Sequence, residues 1–190
     1  MEISETLNSE TRTRWRAWLS EHHASRNEIW LLLPKQPGNG SLTYLDAVEE
    51  AICFGWIDGI GKRYSESVKA QRFTPRRKRS NWTELNKERA RRLIRLGLMT
   101  DAGKASLPDL SINFELAIDI EEAIKAEEGA WSHFESFPDL YKRVRIGYIE
   151  EMRRRNPADF ERRLCNFVSK TTAGKMFGNW NDDRRLDEFE

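Results

Sequence analysis

Residues 56–75 read WIDGIGKRYSESVKAQRFTP and contain two short runs that favour extended backbone. We predict one strand over residues 56–63 and a second over residues 68–74, because turn-forming polar residues separate the two runs. The intervening YSES suits a hairpin connection. Pro75 ends the second strand, since proline has no N–H to donate to a sheet. The segment therefore predicts an antiparallel pair of strands.

Apolar patterns before this hairpin predict a helix and a further strand. Trp15, Trp18 and Leu19 recur at helical spacing within residues 9–23, which we interpret as an amphipathic first helix. Residues 29–35 form an apolar run that ends at the turn-rich QPGNGS, a pattern typical of a buried strand. We expect this strand to join the hairpin in one small sheet.

Capping residues place the helices that follow. Thr43-x-x-Asp46 and Asn81-x-x-Glu84 resemble capping boxes, in which a side chain at each end satisfies a free backbone N–H group. Gly97 fits the C-terminal cap of the second of these helices. Each box therefore predicts the first turn of a helix.

A break at residues 108–113 divides the chain into two predicted parts. Residues 1–107 contain the strands together with helices, whereas residues 114–190 show only helical patterns. Within the second part, Pro157 suits the first turn of a helix. The predicted fold class is α+β: a small, mainly antiparallel sheet packed with helices, followed by a helical C-terminal part.

The composition is that of a folded domain that needs neither disulfides nor a metal for stability. The 190 residues are 38% hydrophobic and include seven Trp and nine Phe, which supply core material. Cys53 and Cys165 lie far apart in apolar segments, and we interpret both as core thiols of a reducing compartment. Residues 1–19 lack the pattern of a signal peptide, and IWLLLP is too short to span a bilayer. We expect a cytoplasmic protein with no membrane partner and no metal or cofactor.

Charge is unevenly distributed along the chain. The totals nearly cancel, with 32 basic and 31 acidic residues, but residues 61–95 contain thirteen Lys or Arg against three Asp or Glu. Residues 101–135 contain two basic and nine acidic residues. Two explanations stay open: the basic segment binds an anionic partner, or the two segments pack together and neutralise each other.

The predicted hairpin supplies the first candidate site residues. Side chains alternate along a strand, so Trp56 and Asp58 point to one face. In one register of the hairpin, Asp58 lies across from Arg72 as a partly buried ion pair, although the sequence does not determine the register. Such a pair is more often structural than catalytic.

A basic run next to a predicted helix start supplies the rest of the site. Residues 76–79 read RRKR and precede a helix capped by Ser80 or Asn81. A helix N-terminus carries partial positive charge, and arginines bind oxyanions with two hydrogen bonds, so the run predicts a phosphate or carboxylate site. The alternative is a solvated basic turn. The complete predicted ligand-binding set is Trp56, Asp58, Arg72, Arg76, Arg77, Ser80 and Trp82.

Established catalytic and cofactor motifs are missing from the sequence. The glycines near the hairpin do not form a dinucleotide fingerprint, and no GK[ST] phosphate loop is present. His22 and His23 are adjacent on a predicted helix and do not face one direction, which argues against a metal pair. No Ser–His–Asp or Cys–His arrangement is recognisable, so no catalytic residue is predicted unless Asp58 acts as a general acid or base.

Three segments resemble a known family. Over about residues 15–103 the chain is similar to the bacteriocin-protection, YdeI or OmpD-associated family. The similar segments are WRAWLSEHHASRNEIWLLLPKQ, LTYLDAVEEAICFGWIDG and RFTPRRKRSNWTELNKERARRLIRLGLMTDAG. The block from FESFPDLYKRVRIGYIE to GNWNDDRRL resembles the helical tail of some members. Glu66 and serines occupy the hairpin turn, near which many members have an Asp or Glu. The resemblance implies a role in tolerance of bacteriocins and antimicrobial peptides, and it implies no reaction.

Three functional hypotheses follow from the sequence. The first is a non-catalytic protein that binds a small anion in bacteriocin or envelope-stress tolerance. The second is an enzyme that acts on a phosphorylated or carboxylated metabolite through Asp58. The third is nucleic-acid binding through residues 61–95, with Phe73 and Trp82 as stacking residues, against which the near-zero net charge argues. A protein partner is the remaining alternative.

Overall fold

The computed structural model describes residues 2–78 and 80–187. In chain order its elements are β1 (Thr6–Asn8), α1 (Arg12–His22), β2 (Ile29–Pro34), α2 (Tyr44–Cys53), β3 (Trp56–Arg63), β4 (Val68–Pro75), α3 (Glu84–Arg95), α4 (Asp101–Ala105), α5 (Ile118–Lys125), α6 (Ala130–Ser136), α7 (Asp139–Glu150) and α8 (Pro157–Thr172). They form two compact units. The first contains the chain up to Asn81 together with Arg89–Leu110, and the second contains Trp82–Glu88 and the chain from Ser111.

The sheet of the first unit has four strands in the order β1-β2-β4-β3. β4 pairs antiparallel with both β2 and β3, whereas β1 pairs parallel with β2. The predicted α+β class and the mainly antiparallel sheet are therefore confirmed. β1 was not predicted, because its three residues, TLN, lack the apolar alternation that marks a strand.

Aromatic packing holds α1 against the sheet in the first unit. The Trp15 ring lies 5.3 Å from the Phe73 ring of β4, and both side chains are fully buried. The Trp15 Nε1 donates a hydrogen bond of 3.0 Å to the carbonyl oxygen of Ala47 in α2. A buried indole therefore packs against the sheet while its polar atom is satisfied, as buried Trp requires.

One of the two predicted capping boxes is confirmed. The Asp46 N–H donates to the Thr43 hydroxyl at 3.1 Å, and the Thr43 N–H donates to the Asp46 carboxylate at 3.2 Å, so α2 begins as expected. The capping box predicted at Asn81 and Glu84 is wrong. α3 begins at Glu84, and its first turn is capped by the hydroxyl of Thr83, which accepts from the Asn86 N–H at 3.1 Å. Residues 76–78 of the basic run therefore do not adjoin a helix N-terminus, and Arg79 lies outside the described residues.

A buried ionic network joins α1, α2 and α3 in the first unit. Glu49 and Glu50 of α2 are only 1% and 2% exposed. Arg12 donates to both carboxylates, at 2.8 Å to Glu49 and 2.6 Å to Glu50. Arg16 donates to Glu50 at 2.6 Å, and Arg92 donates to Glu49 at 2.9 Å. Each buried carboxylate is therefore bound by two guanidinium groups, which offsets the cost of removing it from water.

The second unit has an entirely helical core. Its centre contains Ile120 of α5, Tyr141 of α7 and Phe167 of α8, all fully buried. Phe134 and Phe137 belong to this core and Trp131 packs against it, with the Trp131 and Phe134 rings 5.4 Å apart. Within the described residues of the whole chain, no helix has both the length and the apolar character that crossing a membrane requires.

The two cysteines differ in environment. Cys53 is buried, and burial raises the pKa of its thiol to about 11, with the neighbouring Glu50 carboxylate adding to the effect. Cys165 is exposed. The prediction of a core thiol is therefore confirmed for Cys53 and wrong for Cys165, because the apolar residues beside Cys165 lie on the other side of α8.

Breaking the ionic network should destabilise the protein. We expect Glu49→Ala to lower the free energy of unfolding by about 3 kcal/mol, the lower end for a broken buried ion pair, because Arg12 is partly exposed. Chemical denaturation measures the change. The matched control is Glu21→Ala, which removes an exposed carboxylate and should change stability by less than about 0.5 kcal/mol. Equal effects of the two variants would show that the network contributes nothing.

The cysteines should react very differently with iodoacetamide. In the folded protein at pH 8 we expect labelling of Cys165, whereas Cys53 is protected by burial and by a pKa that lowers its thiolate fraction about a hundredfold. Mass spectrometry of peptides from native and denatured protein identifies the labelled residue. A Cys165→Ser variant should then show no fast labelling, and fast labelling of Cys53 would contradict the buried position.

Candidate functional site

The predicted pair of Asp58 and Arg72 is wrong. The sheet register places Asp58 opposite Phe73, and consecutive residues of β4 point to opposite faces, so Arg72 lies on the other face. Asp58 instead accepts a hydrogen bond of 2.6 Å from the Tyr44 hydroxyl. Arg72 donates through Nε to the Glu28 carboxylate at 2.5 Å. Both members of the predicted pair therefore have other partners.

Glu28 is a structural partner of Arg72. The pKa of Glu28 lies below its usual range, chiefly because its carboxylate accepts a hydrogen bond from the Ser4 hydroxyl. Hydrogen bonds from Arg72 and the Trp30 indole lower the pKa further, whereas burial raises it. The carboxylate is therefore charged at neutral pH and neutralises the Arg72 guanidinium. This pair occupies one face of the sheet.

Asp58 and Arg76 are the two predicted site residues that the structure brings into electrostatic contact. Arg76 is partly buried, and burial lowers its pKa to about 10 while the charge of Asp58 opposes that shift. The guanidinium is still protonated at neutral pH. The Arg76 backbone N–H donates to the Gly55 carbonyl oxygen at 2.8 Å, which fixes the chain where it leaves β4.

The other predicted site residues serve different roles. Trp56 is 1% exposed, and its Nε1 donates to the His23 carbonyl oxygen at 3.1 Å, so it belongs to the core. Arg77 is exposed, and its carbonyl oxygen accepts from the Ser80 N–H at 3.0 Å, which closes a turn. Trp82 is buried and belongs to the second unit. The seven predicted residues therefore do not form one site on the sheet.

The second unit contains a cationic pocket that sequence reasoning missed, which we call the arginine pocket. Its volume is about 390 Å³. Two helices and the segment after α8 supply its lining, which consists of Arg145 and Tyr148 of α7, Arg162, Arg163 and Asn166 of α8, and Phe177. Spacings of three or four residues bring the lining side chains of each helix onto one face.

Guanidinium groups cover the aromatic rings of the arginine pocket. The Arg163 guanidinium lies 3.6 Å from the centre of the Tyr148 ring, and that of Arg145 lies 5.2 Å from the same ring. Arg145 also lies 3.9 Å from the Phe177 ring centre. Stacking on aromatic faces holds a guanidinium in place without neutralising its charge.

Arg145 lacks an acidic partner among residues 2–78 and 80–187. Its Nε is buried without a hydrogen bond to any described residue. Burial lowers the pKa of Arg145, and the charge of Arg163 lowers it further, while Tyr141 and Tyr148 oppose the shift. Arginine remains protonated in proteins at neutral pH. The pocket therefore contains a desolvated positive charge that the protein leaves largely uncompensated.

Asp159 partly neutralises the other two arginines. It lies in the first turn of α8, where the Arg163 Nε is 2.8 Å from one carboxylate oxygen and the Arg162 Nε donates to the other at 3.1 Å. Hydrogen bonding from Arg162 lowers the pKa of Asp159, so it is charged at neutral pH. Arg163 also donates to the Tyr148 carbonyl oxygen at 2.6 Å. The three arginines of the lining and this one carboxylate together leave an excess of two positive charges, and the Arg162 side chain is exposed to solvent.

The sequence contained only a weak signal for this pocket. Tyr148 follows Tyr141 and Val144 at helical spacing, and Arg145 precedes it by three residues. The pair Arg162 and Arg163 precedes Asn166 on a separate helix. Nothing in either spacing shows that these two helix faces meet, because contacts between helices depend on the tertiary fold. Among the described residues, no group of three or more His, Cys, Asp or Glu side chains is arranged to hold a metal ion.

Comparisons with known proteins found two family models. Residues 7–106 match a domain of unknown function, DUF8412. Residues 113–174 match the family described as bacteriocin-protection, YdeI or OmpD-associated. The predicted resemblance to this family is thus confirmed over residues 113–174, whereas residues 15–103, where it was mainly predicted, match DUF8412 instead. No curated protein and no solved structure matches the chain. The chain belongs to the family defined by the DUF8412 domain, and its helical segment is similar to the bacteriocin-protection, YdeI or OmpD-associated family.

Proposed function

We propose that this protein binds a small anionic ligand in the arginine pocket, without catalysing a reaction, as part of bacteriocin or envelope-stress tolerance in the cytoplasm. The observation that carries the proposal is the Arg145 guanidinium, which is half-buried and has no acidic partner among the described residues. Burying an arginine without a counter-charge is costly. An anion that enters the pocket would supply the missing charge.

The lining of the arginine pocket favours binding over catalysis. Its described side chains are three arginines, an asparagine, a tyrosine and a phenylalanine, and they include no histidine and no carboxylate. General acid–base chemistry needs such a group within hydrogen-bonding distance of the ligand. Asp58, the candidate for the enzyme alternative, lies in the first unit and is not part of this lining.

Contacts within the basic segment 61–95 argue against the nucleic-acid alternative. Arg72 pairs with Glu28, Lys87 with Glu84, and Arg92 with the buried Glu49. A cation that already has a carboxylate partner contributes little to phosphate binding, because the partner must be displaced first. At least three of the thirteen basic residues in this segment are therefore paired within the fold.

The family match supports the link between the pocket and the domain. Five of the six lining residues lie within the matched residues 113–174, and only Phe177 lies outside. The pocket is therefore built almost wholly from the segment that carries the bacteriocin-protection description. This coincidence supports the proposal that anion binding belongs to that domain.

Thermal unfolding with anions present tests the proposal. We expect phosphate or sulfate, at constant ionic strength and about a hundred times its dissociation constant, to stabilise the protein by about 2.7 kcal/mol. Arg145→Ala should abolish this stabilisation, because it removes the uncompensated guanidinium. The matched control is Arg155→Ala, an exposed arginine of the same unit, which should respond like the wild type.

A further variant separates the two candidate sites. Arg76→Ala should leave the stabilisation by anions intact if the ligand binds in the second unit. If Arg76→Ala abolishes the effect and Arg145→Ala does not, the site lies beside Asp58 instead. Absence of stabilisation by any of a panel of phosphates, sulfate and carboxylates would overturn the proposed function. Circular dichroism of each variant verifies that it is folded.

A further inference from the structure

The charge of the arginine pocket matches a dianion better than a monoanion. The guanidinium groups of Arg145, Arg162 and Arg163 carry three positive charges, and Asp159 supplies one negative charge. A carboxylate ligand would leave a net charge of one in the pocket. A phosphoryl dianion would neutralise the pocket and would also offer enough oxygens to accept hydrogen bonds from several guanidinium groups.

Hydrogen-bond donors remain for such a ligand. The Arg145 guanidinium makes no hydrogen bond with any residue within 2–78 and 80–187. Arg163 donates through Nη1 to the Tyr148 carbonyl oxygen, which leaves its Nη2 group. Its Nε lies 2.8 Å from the Asp159 carboxylate without making a hydrogen bond. The Asn166 side-chain amide in the same lining can donate as well. Several donors from α7 and α8 are therefore available to one oxyanion.

Arginines already lie over a face of each aromatic ring in the pocket. Guanidinium groups lie near the Tyr148 ring, at 3.6 Å for Arg163 and 5.2 Å for Arg145. Arg145 also covers a face of the Phe177 ring at 3.9 Å. Recognition of a base needs an open aromatic face on which it can stack. Here the rings support arginines, so the pocket favours the charged group of a ligand.

The size of the pocket indicates a small organic phosphate. A volume of about 390 Å³ lies near the lower end of the range of roughly 300–1,000 Å³ for small-molecule sites. It has room for a phosphoryl group together with a short organic part. We infer that the arginine pocket selects the dianionic phosphoryl group of a small phosphomonoester over carboxylates and over nucleosides. The inference rests on the proposed function, because it specifies the ligand of the same pocket.

Isothermal titration calorimetry with matched probes tests this selection. The probes are methyl phosphate, a dianion at pH 7.5, dimethyl phosphate, a monoanion of similar shape, acetate, and adenosine, which has a base but no charge. We expect methyl phosphate to bind at least about tenfold more tightly than dimethyl phosphate or acetate, since a charge-assisted hydrogen bond is lost with the monoanions. Adenosine should produce no binding heat.

The pH dependence provides a second readout. Methyl phosphate should bind more weakly as pH falls from 7.5 to 5, because it loses its second charge near a pKa of about 6. Acetate remains charged over most of this interval, so its binding should change little. Arg145→Lys keeps the positive charge but loses the planar group with several donors, and should weaken methyl phosphate binding about tenfold. Arg155→Ala should bind like the wild type.

The outcomes separate this inference from the proposed function. If methyl phosphate and acetate bind equally well, the dianion selection is overturned while anion binding stands. If adenosine binds, an aromatic face is open to a base and the selection is likewise overturned. If none of the four probes binds and inorganic phosphate and sulfate fail as well, both the inference and the proposed function are overturned.

Discussion

The burial of two adjacent carboxylates on α2 is the constraint on which the first unit depends. Glu49 and Glu50 are almost fully removed from water, where an unpaired carboxylate costs several kcal/mol. α1 must therefore present Arg12 and Arg16, and α3 must present Arg92, each at hydrogen-bonding distance. These requirements restrict the positions of three helices more narrowly than apolar packing would, because hydrogen bonds depend on both distance and direction.

Buried charge has two different uses in this protein. In the network of the first unit, each carboxylate oxygen of Glu49 and Glu50 has an arginine donor, so the charges are balanced within the fold. In the arginine pocket, Arg145 is surrounded by aromatic rings and by a second arginine. The first arrangement stabilises a structure by itself. The second leaves a charge that the anionic ligand of the proposed function would neutralise.

Features that depend on local patterns could be predicted from the sequence, whereas features that depend on tertiary contacts could not. Turn residues, capping residues and apolar periodicity predicted the hairpin, the Thr43 capping box and strand β2. The pairing of Asp58 with Arg72 failed because a shift of one residue in register moves a side chain to the other face. The burial of Glu49 could not be predicted because its arginine partners lie far away in sequence.

Local density of basic residues proved a poor guide to the candidate anion site. Residues 61–95 hold thirteen basic residues, yet Arg72 and Arg92 are bound to glutamates within the fold. The affinity of a site for an anion depends on the net charge that the fold leaves uncompensated, since each internal carboxylate competes with the ligand. The arginine pocket has fewer cations but a net excess of two positive charges at one place. The proposed anion site therefore lies in the second unit, where α7 and α8 bring together arginines that are far apart in the sequence.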